Sequence, residues 1–155
     1  MTIKEEELLN DFFAGAKKEF GMERDHEDFE QITTLPYGFK NSCWKNAASP
    51  SLSYLEEERS LADDTLEVHI WIDAKNEDLR ECNEGGQFVL EIVSVSDRYF
   101  YVSDSWKEIC DMAPKALILA DDIHSNAKFN KRDNYDLAFG ELQEKAQKEG
   151  FVYEW

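Results

Sequence analysis

Four residues in the middle of the chain have types and a spacing that could do chemistry. Glu67, His69, Trp71 and Asp73 alternate with apolar residues, which places all four on one face of a predicted strand. A carboxylate beside an imidazole can transfer a proton, and an aromatic ring between them can bind a partner. The simpler interpretation is a half-exposed sheet face without a reaction, and we favour it. Trp71 still indicates that something packs on this face, because a fully exposed Trp is uncommon.

A second pattern, Asp121 with His124, has the spacing of a metal-binding or proton-transfer pair. Residues three apart share one face of a helix, so this carboxylate and imidazole would meet in a helical segment. Metal sites generally need three or four ligands, and no second pair of this kind accompanies the first. We therefore favour an acidic helix end with a solvated histidine, and we expect no bound metal.

The chain contains no motif that predicts covalent catalysis or cofactor binding. Cys43 and the stretch Ser49-Pro50-Ser51 are the candidate nucleophiles, but neither lies in a GxSxG turn or at a recognised spacing from a histidine. Phosphate-binding loops and zinc-protease motifs are also absent from the sequence. We therefore assign no catalytic residue, expect no cofactor, and favour a protein that is not an enzyme.

Periodic apolar residues predict a helix near each end of the chain. Positions 3–20 carry an apolar stripe, with Thr2 as the N-cap and Gly21 as the stop. A second stripe predicts a helix that begins at Tyr135 and ends at Gly150. Before it we expect a short helix over 105–112, a break or new start at Pro114, a helix over 116–124 and a polar loop over 125–134.

Alternating and continuous apolar runs predict a sheet in the middle of the chain. The strands are 66–73, 88–95 and 99–102, with the last two joined as a hairpin, and 151–155 is a further β-like tail. We expect a loop with one short helical turn over 22–36, and an irregular segment with embedded aromatic residues over 37–54. The fold class is therefore α+β: a single domain over 1–155, in which an antiparallel sheet of three to five strands has N-terminal and C-terminal helices packed on it.

Net charge is the strongest property of the whole chain. Its 34 acidic and 17 basic side chains give a formal charge of -17. This charge repels nucleic acid and attracts basic proteins, so we exclude the first as a partner and expect the second. No stretch has the ~20 apolar residues of a membrane span, the first residues are unlike a signal peptide, and the three cysteines predict free thiols. We therefore expect a cytoplasmic protein that does not bind membranes.

Our first hypothesis is a small, non-enzymatic protein that binds and neutralises a basic partner such as a nuclease toxin. Acidic runs at 5–7, 23–30, 56–58 and 63–64 would supply carboxylates in the place of a nuclease substrate's phosphates, and aromatic residues would be the anchors. In composition, although not in any motif, the chain resembles the immunity proteins of toxin systems. The candidate partner-binding residues are Trp44, Tyr54, Glu56, Glu57, Glu58, Asp63, Asp64, Glu67, His69 and Trp71.

Two other functions stay open at the level of sequence. One is a small-ligand or enzymatic domain with a pocket between the sheet and the 37–54 loop, where His69, Asp121 and His124 would converge. The other is a homo-oligomer, in which the tail at 151–155 adds an edge strand to a neighbouring copy.

Overall fold

The described fold is an antiparallel sheet of six strands with three α-helices, in an α+β arrangement. The structure is a computed structural model that describes residues 2–54, 67–82, 84–93, 98–129 and 135–154, with side chains described except at 124–129 and 135–141. The elements are α1 (Ile3–Phe20), β1 (Phe39–Asn41), β2 (Ser51–Tyr54), β3 (Glu67–Ile72), β4 (Phe88–Val93), β5 (Arg98–Ser103), α2 (Trp106–Phe129), α3 (Tyr135–Lys148) and β6 (Val152–Glu154). Short 3-10 turns occur at Glu27–Phe29 and Glu77–Leu79.

Helix α1 begins and ends where its sequence predicts. The Thr2 hydroxyl accepts from the Glu5 N–H and the Glu5 carboxylate accepts from the Thr2 N–H, which forms a complete capping box. Gly21 ends the helix in a left-handed conformation with φ of 70°. Gly15 lies inside the helix because β1 comes close there: a Cβ on Gly15 would be 2.3 Å from Nδ2 of Asn41.

The segment after β5 differs from its prediction, because one continuous helix replaces two short ones. α2 passes through Pro114 and includes 125–129, where the sequence predicts a polar loop. Pro114 removes one backbone hydrogen bond, but the neighbouring Ile109, Ala113 and Ala116 are buried, and their packing holds the helix together. None of the described helices is both long and apolar enough to cross a membrane.

The sheet has more strands than the three to five predicted. Residues 37–54, predicted to be irregular, contain β1 and β2, and these strands of three and four residues are too short to show a periodic pattern. β3, β4, the β4–β5 hairpin and the added strand β6 are confirmed. Each strand pairs with the next one along the chain, in the order β1-β2-β3-β4-β5-β6.

The two faces of the sheet have different coverings. Side chains such as Ile70 and Leu90 point to the face on which the helices pack, and they form one core with Phe12 of α1, Ile109 of α2 and Ala146 of α3. We call the opposite face the helix-free face, since none of the described helices packs on it. The register places on it Ser53, Glu67, His69, Trp71, Glu91, Arg98 and Phe100.

Candidate functional site

Several loops meet at the end of the sheet where β1, β3 and β5 terminate. We call this region the acidic loop end and define it as residues 23–31, 42–50, 73–82 and Asp104. Its segments are joined by hydrogen bonds: Gln31 Nε2 donates to the Asp104 carbonyl at 2.8 Å, and the Ile72 N–H donates to the Pro50 carbonyl at 2.9 Å. Loops on a rigid sheet are the usual place for binding residues.

The carboxylate of Asp73 organises the longest of these loops. The prediction that Asp73 shares the outward face of β3 is wrong, because β3 ends at Ile72 and Asp73 is only 2% exposed. Its two oxygens accept the backbone N–H groups of Ala74, Glu81 and Cys82 at 2.8 to 2.9 Å. Hydrogen bonds from three backbone donors to one buried carboxylate fix the path of the 73–82 loop.

A second buried carboxylate joins this loop to the segment that follows α1. Asp28, also buried, accepts the Lys75 N–H at 2.9 Å through Oδ1. The buried amide of Gln87 donates from Nε2 to the Asp28 carbonyl at 2.8 Å. These bonds connect residues 47 and 59 positions apart in the chain, so they hold the two acidic segments side by side.

Two basic residues of the acidic loop end, Arg80 and Lys75, bind other residues of the chain. The Arg80 side chain is 7% exposed, donates from Nε to the Ala74 carbonyl at 2.9 Å, and pairs with Asp104 at 3.1 Å. Lys75 is hydrogen-bonded to Glu30. That hydrogen bond and the attraction of the two charges raise the pKa of Lys75 and lower the pKa of Glu30.

Acidic side chains remain on the outside of this end. Five carboxylates there are exposed and make no ion pair within the described part of the chain: Asp25, Glu27, Glu77, Asp78 and Glu81. Two apolar side chains lie at the same end, Leu79 at 63% and Trp44 at 53% exposure. The outer surface therefore combines uncompensated negative charge with two exposed apolar groups.

The predicted binding residues are divided between the two ends of the sheet. Trp44 lies at the acidic loop end, whereas the chain leaves β2 at Tyr54 and enters β3 at Glu67, at the opposite end. Tyr54 is 6% exposed and packs on Phe39 at 5.8 Å between ring centroids, so it belongs to the core and its assignment as a surface anchor is wrong. Glu56, Glu57, Glu58, Asp63 and Asp64 lie outside the described residues.

His69 holds together one part of the helix-free face. Its Nδ1 is 2.7 Å from Oγ of Ser53, its Nε2 is 2.8 Å from Oε2 of Glu67, and its ring lies 5.9 Å from that of Trp71. A hydroxyl, an imidazole and a carboxylate in a row resemble a nucleophile with its base. However, Ser53 is only 8% exposed, so its hydroxyl has little access to a substrate.

Glu91 and Arg98 form the charged part of the same face. Glu91 is 7% exposed and accepts from Nε1 of Trp71 and from Nε of Arg98, both at 2.6 Å. Arg98 also pairs with Glu84 at 3.2 Å and Glu154 at 3.6 Å. Burial opposes the charge of the Arg98 guanidinium, but the Glu91 hydrogen bond and the three carboxylates outweigh it and raise the Arg98 pKa. The charges on this face therefore satisfy one another.

The structure does not bring together the residues of the proposed ligand pocket. His69 points to the helix-free face, whereas α2, which carries Asp121, packs on the other face. The side chain of His124 lies outside the described ones. No group of three or more potential metal ligands occurs among the described residues.

The three cysteines are free thiols with suppressed ionisation. Burial raises the pKa of Cys43 and Cys82, and it raises the pKa of Cys110 to about 11 with a further contribution from Asp111. Because the thiolate is the reactive form, these groups are poor nucleophiles at neutral pH. The candidate nucleophile Cys43 therefore lacks the electropositive surroundings that activate catalytic thiols.

The main part of the acidic loop end that sequence reasoning missed is the 73–82 loop. The sequence predicts only a polar connection there, although Asn76 caps the short turn Glu77–Leu79, and its side chain accepts the Asp78 N–H at 3.0 Å. A capping residue followed by Glu77 and Asp78 was the available local signal. No local pattern shows that this turn lies beside residues 23–31.

Comparisons with known proteins give this chain no relative. No family model, curated protein or solved structure matches it. We therefore infer function from the geometry and charge of its surfaces.

Proposed function

We propose that this chain is a small acidic, non-enzymatic binding protein that neutralises a basic protein partner through the acidic loop end. The observation that supports it is that the exposed carboxylates lie on loops whose backbone is held in place by buried polar side chains. Asp73, Asp28 and Gln87 fix the loops before any partner arrives. A surface held in one shape loses less conformational entropy on binding.

The charge of this surface defines the class of partner. Carboxylates at fixed positions on this surface can replace the phosphates of a nucleic acid in the positively charged cleft of a nuclease. A nuclease-like toxin is therefore the kind of basic partner that fits best. The total charge of -17 would accelerate the encounter, and added salt would slow it. This is the mode of action of an immunity-type inhibitor.

The two exposed apolar side chains give the proposed interface its anchors. Leu79 lies in the 73–82 loop, next to Asp78 and two residues before Glu81. Trp44 lies in the loop between β1 and β2. A large side chain surrounded by charged groups is the usual form of a binding hot spot, because the rim excludes water from the centre. Charge would thus set the association rate, while Leu79 and Trp44 would set the lifetime of the complex.

Free thiols support a cytoplasmic location for this binding protein. All three cysteines are unpaired in the structure. Reduced cysteines are typical of the cytosol, whereas secreted proteins of this size usually form disulfides.

The proposal is tested by capturing partners from cells of the protein's own source at low and high salt, and then titrating the purified partner. The triple variant Glu77→Lys, Asp78→Lys, Glu81→Lys reverses the charge of the acidic loop end. We expect the wild type to retain a basic protein that salt releases, and we expect the variant to bind it about tenfold more weakly or worse.

A matched variant separates the surface from the total charge. Glu7→Lys, Asp111→Lys, Glu144→Lys changes the net charge equally at exposed positions outside the acidic loop end. This control should keep at least half of the wild-type affinity. Equal losses in both variants, or no captured basic protein at either salt concentration, would contradict the proposal.

A further inference from the structure

A groove runs along α1 on the side of the molecule formed by β1. It consists of two open clefts of about 590 and 500 Å³. Leu8 and Lys40 line both clefts, so the two are adjacent. The larger one lies between the first turns of α1 and residues 34–40, and its volume is that of a small-molecule site.

The groove is unusual in this acidic chain because lysines line it. Lys4 and Lys40 line the larger cleft, and Lys18 lines the smaller one. These lysines make no ion pair within the described residues, and the same is true of Lys45, Lys107 and Lys148 elsewhere on the surface. The acidic residue of the larger cleft, Glu5, uses its carboxylate to cap α1.

Apart from Thr2, Thr34 and the charged residues, mainly apolar groups line the larger cleft. Pro36 and Phe39 are buried, while Leu8 and Leu35 are half-buried and remain partly accessible. Tyr37 is 84% exposed at the edge of this cleft, where its ring is accessible to a ligand. An aromatic ring and aliphatic side chains beside two cations suit a molecule with an apolar body and a single acidic group.

We propose that the larger cleft binds a small organic anion with an aromatic or aliphatic body, held by Lys4 and Lys40 and covered by Tyr37. This goes beyond the binding of a basic protein and uses a different surface. With a charge of -17, the protein as a whole repels anions, so anion binding requires a local site where cations dominate.

The probe for this site is 8-anilinonaphthalene-1-sulfonate, an aromatic anion whose fluorescence rises on binding. We expect saturable binding to the folded protein, and we expect Lys4→Gln with Lys40→Gln to raise the Kd about tenfold. The control pair Lys45→Gln with Lys107→Gln makes the same change in net charge at exposed positions outside the cleft, and should change the Kd less than twofold. The variant Tyr37→Ala should also weaken binding.

The neutral analogue N-phenyl-1-naphthylamine separates charge from apolar contact. Binding of the two probes with equal Kd would overturn the role of the lysines. The proposal also fails if the wild type does not bind the anion, or if both lysine pairs lower affinity equally. Thermal unfolding of each variant verifies that the lysine and tyrosine changes, all at accessible positions, leave the fold intact.

Discussion

The acidic loop end and the helix-free face contain similar groups but arrange them in opposite ways. On the helix-free face, Glu91, Glu84 and Glu154 surround Arg98, so each of these carboxylates is paired with a cation of the same chain. At the acidic loop end, Arg80 and Lys75 are held by internal partners, and five other carboxylates are exposed and form no ion pair within the described residues. The two regions therefore differ in whether their carboxylates bind cations of the same chain or face solvent, and the proposed interface depends on this difference.

The two regions also use buried carboxylates for different purposes. Asp73 binds backbone N–H groups and so fixes the path of a loop, whereas Glu91 binds side chains and so fixes the surface of a sheet. Removal of Asp73 should disturb the shape of the proposed interface. Removal of Glu91 should lower stability without reaching that interface.

The largest effect is expected from Asp73→Ala. Loss of this buried carboxylate leaves three backbone donors without their partner, and we expect a loss of about 3 kcal/mol in the free energy of unfolding. Urea denaturation measures it, and faster hydrogen exchange at the Glu81 and Cys82 amides should accompany it. Asp78→Ala is the control, since its exposed side chain should change stability by less than ~0.5 kcal/mol. Equal stability of the two variants would show that the buried carboxylate of Asp73 stabilises the loop no more than the exposed carboxylate of Asp78 does.

Glu91→Ala should have the next largest effect. It leaves the half-buried guanidinium of Arg98 without its closest partner, but Glu84 and Glu154 remain, so we expect a loss of about 2 kcal/mol rather than more. Denaturant unfolding measures the loss, with the exposed Glu154→Ala as a nearly neutral control. Partner binding should be unchanged. A loss of binding in Glu91→Ala would show that the helix-free face also takes part in the proposed interface.

Trp71→Phe tests the Trp71–Glu91–Arg98 hydrogen-bond network with a smaller change. The substitution removes the Nε1 donor to Glu91 but keeps an aromatic ring on the face, and we expect a loss of about 1 kcal/mol. The double variant with Glu91→Ala should lose less than the sum of the single changes, because each single change removes the same hydrogen bond. Additive losses in unfolding experiments would show that the bond contributes nothing.

The smallest effect concerns the thiols and pH. The raised pKa of Cys110 means that the folded state keeps its proton when the unfolded state has lost it. Its contribution to stability is therefore fully present below pH 9.0 and is lost as the pH rises through about 11. Cys110→Ser should flatten the fall in stability over this interval. At pH 8, alkylation followed by mass spectrometry should find all three thiols slow compared with the urea-unfolded chain.

The parts of the fold that were predictable are those with a long, regular pattern. Helix α1 has a recognisable capping residue at each end, and in β3 apolar and polar residues alternate without interruption. β2 was hidden because Ser51 and Ser53 are polar yet buried, their hydroxyls hydrogen-bonded to Ser42 and His69. Pro114 suggested a break because local propensity contains no information about the core that packs on α2.

The acidity of the candidate site was predictable, but its position was not. The sequence predicts an acidic run at 23–30, and this segment does lie at the acidic loop end. The 73–82 loop joins that segment only through the Lys75–Asp28 and Gln87–Asp28 hydrogen bonds, which connect distant parts of the chain. Such contacts depend on how all the strands pair in the sheet. No pattern among residues that are neighbours in the sequence predicts them.

The strand order also determines how the sheet assembles. Along the chain, α2 and α3 lie between β5 and β6, the strand that pairs with the outer edge of β5. Pairing of β6 with this edge therefore needs a much longer connection than a hairpin turn, and edges that stay unpaired promote aggregation. A charge of -17 keeps partly folded chains apart by mutual repulsion. The acidity on which the proposed partner binding depends would thus also protect the chain while that edge is unpaired.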